Sequence, residues 1–267
     1  MNESSISDKL FSYITNETWQ SIFDAYFGNI DLNAHFELNS YVEQICCQYK
    51  FNPLTDNVMS FNSNIFELDK AAAMFFWYQK GDRKDYSIIS KFDEYKHCID
   101  EHHPEFNSNY GYYAYEENGI SLCIQRLLDD PWTRQACFCI NNREAMSDTS
   151  IDKLCTNAIQ FVIRNNKLYE IVQMRSSNFF SLLPYDAFMF SVFYADVFSG
   201  LRHKYDLKVG EIVMQVSSLH FYLNDVLRLV STTNDDICKL EDCNLIGDFA
   251  HNYMWKYKLS TKLKKAL

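Results

Sequence analysis

Glycine and proline are scarce in this chain, 7 and 4 among 267 residues. That excludes collagen-like and loop-rich repeat architectures. Positive charge is also short: 25 Lys and Arg face 35 Asp and Glu, for a net of −10. Such a balance does not hold duplex nucleic acid through a broad electrostatic footprint, although a few placed arginines still suit a small anion. No run of 18 apolar residues exists, so no transmembrane helix is expected. The opening MNESSISDKLF lacks the basic segment and apolar stretch of a signal peptide. The nine cysteines are therefore expected as thiols in a reducing cytoplasm. They form no CxxC pair, and the adjacent His102 and His103 are not at ligand spacing, so no metal site is expected.

What the chain has in abundance is apolar and aromatic bulk. Hydrophobic residues make up 47% and aromatics 16%, with 21 Phe and 18 Tyr. A disordered chain is excluded. The length suits one large domain, taken here as residues 1–267.

Residues 1–60 read as irregular helical segments rich in Asn, Ser and aromatics. Ile65 to Gln79 reads as a buried helix, apolar on more than one face, with Gly81 just past its end. Arg134 to Ile140 reads as a buried strand. Ala158 to Ile163 and Leu168 to Met174 are apolar runs joined by Arg164-Asn165-Asn166-Lys167, a hairpin signal because Asn tolerates left-handed turn conformations. Pro184 opens an apolar helix running to about Lys204. Glu211 to Ser217 reads as a strand, with a helix from about Tyr222. Strands with interspersed long helices predict an α+β fold.

Four polar clusters fall at the ends of these elements. Cys155 stands just before the first hairpin strand; alone it would be an ordinary small core residue. Arg175-Ser176 ends the second, where a forked donor and a hydroxyl suit a phosphate dianion. Asp186 lies in the first turn of the Pro184 helix, where an acid also complements the helix dipole. His220 and Tyr222 end the last strand on one face.

Together these stretches resemble the thymidylate synthase family, and within it the deoxycytidylate hydroxymethylases of phages. The matching segments are Asn107 to Gly111, Asp130 to Arg134, Cys155 to Gln160, Met174-Arg175-Ser176, Asp186, and Ser218 to Tyr222, in the family's order over about residues 107–226. The resemblance implies a thymidylate synthase-like fold with a large mixed sheet, long helices and a homodimer formed through the sheet's outer face. It implies a pyrimidine nucleotide monophosphate as substrate and methylenetetrahydrofolate as the one-carbon co-substrate. Cys155 would add to carbon 6 of the ring, making carbon 5 nucleophilic. Arg175 and Ser176 would bind the phosphate, joined by Arg134 of a partner subunit. His220 and Tyr222 would hold a sugar hydroxyl, and Tyr110 would help remove the proton from carbon 5. Asp186, where uracil-methylating members carry Asn, implies cytosine. An ionised carboxylate accepts from the exocyclic amino group, and from ring nitrogen 3 once that is protonated.

The chain also departs from the family pattern. The family's buried catalytic Glu, three residues before a Trp, falls on Met74, three before Trp77. Glu67 lies two helical turns earlier, about 10 Å along the axis. The family's pterin-contacting Asp falls on Asn178, here the candidate folate contact, and no Trp lies in residues 82–106 to stack on a pterin. Gln135 stands for a second phosphate Arg, and Thr156 for the synthases' His. Two readings result: a deoxycytidylate hydroxymethylase or methylase, and a reduced homologue that binds a pyrimidine nucleotide without one-carbon transfer.

Overall fold

Alternating apolar positions in the second half of the chain build a sheet with one buried face, and one nearly all-apolar helix covers it. The computed structural model describes residues 17–28, 41–56, 68–90, 92–96, 98, 102–143, 149–222 and 224–225. Among them the chain runs α1 (Glu17–Phe27), β1 (Tyr41–Phe51), α2 (Leu68–Lys80), α3 (Asp93–Lys96), a π-helical turn (Tyr112–Glu116), α4 (Gly119–Asp129), β2 (Cys137–Cys139), β3 (Thr156–Arg164), β4 (Lys167–Met174), β5 (Ser177–Asn178), α5 (Leu183–Leu201) and β6 (Lys208–Tyr222).

The sheet order is β1-β6-β4-β3-β2, with β5 pairing β6 off this path. β4 and β6 run parallel while β1–β6, β2–β3 and β3–β4 are antiparallel, so the sheet is mixed as expected. The β3–β4 hairpin turns at Asn165 and Asn166, both left-handed at φ 52 and 57. Those values match the right-handed twist of the strands, which is why Asn stands there. Ile159, Phe161, Leu168, Val172, Ile212 and Met214 fill the buried face. The opposite face carries half-buried Val162, Tyr169, Ile171 and Val213.

Fifteen of the nineteen residues of α5 are buried, so it is a core helix rather than an amphipathic surface one. Pro184 in its first turn costs no helix hydrogen bond. Beside it, Phe23 and Phe27 of α1 meet Phe179, Phe180 and Phe221 at ring-centroid distances of 4.9 to 6.1 Å. Truncating one of these rings to Ala would cost about 3–5 kcal/mol.

Two glycines fix how α2 meets the rest. Gly81, at φ 64, ends the helix in the left-handed region. A Cβ on Gly111 would sit 1.9 Å from the Tyr78 carbonyl oxygen, so only glycine lets the segment after Tyr110 lie against α2. No described helix is long and apolar enough to cross a membrane.

Three expectations need correction. Residues 41–51 are not helical: β1 is an eleven-residue edge strand, its alternation interrupted by the apolar run Ile45-Cys46-Cys47 and by Cys46 at φ 59. The expected buried strand at Arg134–Ile140 is only Cys137–Cys139, at the sheet edge with both cysteines exposed. The last strand runs on to Tyr222, where a helix was expected to begin, and most of that helix falls outside the described residues. Glu67 lies outside them too, as do the rest of residues 57–67.

Candidate active site

Cys155, Arg175, Asp186 and His220 converge because three strand ends and one helix start meet at the same edge of the buried face. Cys155 immediately precedes β3, and Arg175 follows β4. The backbone of Arg175 donates to the Cys155 carbonyl at 2.9 Å, and its Nε donates to the Leu154 carbonyl at 2.7 Å. Its Nη2 lies 3.9 Å from the Cys155 sulfur. The guanidinium therefore clamps the turn that presents the thiol, while its exposed side remains open to an anion.

Burial pushes the Cys155 thiol up to about 11, with Arg175 pulling it down and Asp186 and Asp152 adding to the rise. At neutral pH the group is a thiol, so its proton must leave as the sulfur attacks. Asp152, three residues earlier, is a buried acid that sequence reading passed over. It accepts from the Ser108 backbone at 2.8 Å and the Ser108 hydroxyl at 3.0 Å. Burial nonetheless holds its carboxyl above the ordinary value.

Asp186 sits in the first turn of α5 with its carboxyl pushed up by burial to about 7. No hydrogen bond to that carboxyl is present among the described residues. It faces Cys155, Tyr49, Tyr78 and Tyr110. Tyr110 is buried, faces Cys155 and Asp186, and lies parallel to Phe190 at 6.4 Å; burial raises its phenol well above its ordinary value.

On the other side, β5 pairs Asn178 with His220 of β6. Burial holds the His220 imidazole below its ordinary value, so it is neutral at pH 7, and its Nδ1 has no hydrogen-bond partner. Tyr222 packs edge-on against it at 5.4 Å and is itself exposed. Arg134 is exposed. Ser176 is half-buried beside Arg175.

Asn178 is heavily committed. Its Oδ1 accepts from the Phe180 and Ser181 backbones at 3.0 and 3.1 Å, and its Nδ2 donates to Asp225 at 3.0 Å. In this arrangement both acceptor positions of its oxygen are used, leaving one Nδ2 hydrogen but no acceptor for a pterin. Met74 is fully enclosed and accepts a hydrogen bond from the Tyr95 hydroxyl at 3.4 Å, so no acid stands there. One turn earlier the buried Lys70 holds its ammonium 4.3 Å over the Tyr185 ring. Among the described residues no group of three or more His, Cys, Asp or Glu could hold a metal ion.

Buried polar atoms without a close protein partner occur both here and elsewhere in the core, at Glu170 and Trp77 among others. Thr156 Oγ1, next to Cys155, and His220 Nδ1 are the two at the candidate site. Buried polar groups are ordinarily satisfied, and an open one at a site can take a polar ligand.

This fold and site place the chain in a class. The family described as Thymidylate synthase matches residues 59–245, and the chain belongs to that family. Its similar relatives include the deoxycytidylate 5-hydroxymethyltransferases of Enterobacteria phages T4, T2 and T6. Each is 29% identical over 130 residues, covering 44% of this chain and 52% of the relative. The chain thus spans about half the length of the curated relatives it matches.

Proposed function

We propose that this protein transfers a one-carbon unit to carbon 5 of a cytidine monophosphate through a covalent Cys155 adduct. The observation that carries the reading is the Cys155 thiol held beside the exposed Arg175 guanidinium, with the buried Asp186 carboxyl near enough to act on it. Arg175 and Ser176 take the phosphate, and His220 and Tyr222 take a sugar hydroxyl. Arg134, exposed on its own chain, reaches the phosphate of a second copy. The half-buried apolar residues of the outer sheet face, Ile171 and Val213 among them, form that homodimer contact.

The chemistry at Cys155 follows from the two perturbed groups. With its value pushed up to about 7 by burial, the Asp186 carboxyl can take up a proton near neutral pH. A neutral acid pairs with cytosine as it stands: its carbonyl oxygen accepts from the amino group and its hydroxyl donates to nitrogen 3. The sulfur then bonds to carbon 6, the double bond moves to between carbons 4 and 5, and nitrogen 3 gains a proton from Asp186. The Cys155 proton restores the acid, so the net change is addition of S–H across the ring. Carbon 5 becomes an enamine-type nucleophile; once it has bonded the one-carbon unit, Tyr110 assists removal of its proton. Methylenetetrahydrofolate supplies the one-carbon unit in this family. The committed Asn178 amide does not fit a pterin contact, so no step is derived through that residue.

Met74 and Asn178 favour a second reading, a homologue that binds the nucleotide without transferring carbon. Incubation with dCMP or dUMP, formaldehyde and tetrahydrofolate, followed by mass analysis of the nucleotide, separates the two. Transfer predicts dCMP heavier by one formaldehyde unit. Unchanged nucleotides under conditions where dCMP binds would establish the second reading.

A further inference from the structure

Three aromatic rings close on one another where β1 begins and β6 ends. His220 and Tyr222 share a face of β6 at positions i and i+2, and their ring centroids lie 5.4 Å apart at 85°. The antiparallel register of β1 and β6 sets Tyr41 directly across from Tyr222, and directly opposed residues share a face of the sheet. The Tyr41 ring stands edge-on to both, 6.3 Å and 81° from His220 and 6.1 Å and 61° from Tyr222. Edge-to-face contacts at these distances are attractive and directional, so each ring fixes the orientation of the other two. Among the described residues none of the three rings touches a further ring. Tyr222 is the last residue of β6 and 43% exposed, beyond the β5 pairing, which ends at His220. Tyr41 is 52% exposed. A tyrosine so exposed fills no core, and an aromatic pair across an edge strand adds only modestly to stability. What Tyr41 does contact is the pair assigned to the sugar hydroxyl.

We infer that Tyr41 is a positioning residue for sugar recognition: its ring holds Tyr222, and with it the His220–Tyr222 pair, in the orientation that meets the sugar hydroxyl of the nucleotide. The inference rests on the reading that His220 and Tyr222 take that hydroxyl. A tyrosine at an exposed strand end samples several rotamers when nothing packs against it. Fixing the ring before the nucleotide arrives removes that ordering cost from binding. The Tyr41 ring supplies the contact. Its hydroxyl is assigned no role, and Tyr41 acts through Tyr222 rather than on any reacting atom.

The test compares dCMP, which carries one free sugar hydroxyl, with dideoxycytidine monophosphate, which carries none. Calorimetry on the full chain gives the ratio of the two affinities for wild type, Tyr41→Phe, Tyr41→Leu and Tyr41→Ala. Wild type should favour dCMP. The Ala and Leu variants should lower that preference about three- to tenfold, by weakening dCMP while the dideoxy nucleotide stays within about twofold. Tyr41→Phe keeps the ring and should keep the wild-type ratio. Thermal unfolding checks the fold, and Tyr41→Leu, which retains bulk on the edge strand, carries the test if the Ala variant does not fold. A merely structural role would weaken both nucleotides together and leave the ratio unmoved; that result overturns the inference while the sugar reading of His220 and Tyr222 stands. A Phe variant that loses the preference as the Ala variant does overturns it too, since the hydroxyl would then be the acting group. If wild type binds the two nucleotides equally, the sugar reading fails and this inference with it.

Discussion

Asp186 and Glu170 are both buried carboxyls pushed up by burial, and only Asp186 belongs to the candidate site. Asp186 opens α5 and faces a thiol, three phenols and the Arg175 end of the sheet. Glu170 lies at the middle of β4 with 0% exposure, both oxygens lack partners, and burial alone pushes it well above its ordinary value. Its polar neighbours are Tyr115, Tyr194 and Cys123, and two of these hydroxyls are spent elsewhere. Tyr194 donates to the Leu168 carbonyl at 2.9 Å, and Tyr115 donates to Asp196 at 2.8 Å. A perturbed acid therefore does not make an active site by itself. What distinguishes Asp186 is its company: a nucleophile, an exposed guanidinium and open hydrogen-bonding groups arriving from four separate elements.

That contrast can be broken at its strongest point first. Cys155→Ser should abolish tritium release from carbon 5 of labelled dCMP while nucleotide binding stays within a few-fold. Serine keeps the shape but loses the accessible anion. Undiminished release would remove Cys155 from the mechanism.

Glu170 should act on stability alone. Its folded-state value lies above its unfolded one, so its stabilising contribution is complete below about pH 4.3 and is lost as pH rises toward the folded value. In that interval the native state holds one extra proton, and stability falls by about 1.4 kcal/mol per pH unit, tenfold in the folding equilibrium. Asp186 adds a slope of the same sign until about pH 7. Glu170→Met should therefore roughly halve the slope of denaturation free energy between about pH 5 and 7, with nucleotide binding retained. An unchanged slope would show that Glu170 is solvated or paired in solution.

The smallest expected effect concerns the thiol. Alkylation of Cys155 should rise with pH toward a midpoint near 11, and Arg175→Gln should move that midpoint higher because a favourable cation is lost. A midpoint near the ordinary thiol value would mean that the sulfur is less buried than described here.

Much of this architecture was legible in the chain because local chemistry and tertiary role agreed. Asn165 and Asn166 marked the hairpin, Pro184 and a continuous apolar run marked α5, and Gly81 marked the end of α2. β1 was opaque because its alternation breaks at Ile45-Cys46-Cys47 and its pairing partner, β6, lies far away in sequence. α4 was missed as well, although its apolar positions at Ile120, Cys123 and Leu127 keep a helical spacing. The candidate site divides the same way. Cys155, Arg175, Asp186 and His220 stand at element ends, where polar residues are conspicuous. Asp152 is buried in a segment that carried no turn or cap signal.

The account turns on Asp186, and nucleotide binding to wild type and Asp186→Asn tests it most directly, since it needs no one-carbon donor. Wild type should bind dCMP more tightly than dUMP. The Asn variant should shift the preference toward dUMP by about ten- to a hundred-fold, because an amide presents a donor to oxygen 4 and an acceptor to nitrogen 3 of uracil. If wild type binds both nucleotides equally and the Asn variant does the same, Asp186 is an ordinary first-turn acid of α5 and the cytidylate assignment is contradicted.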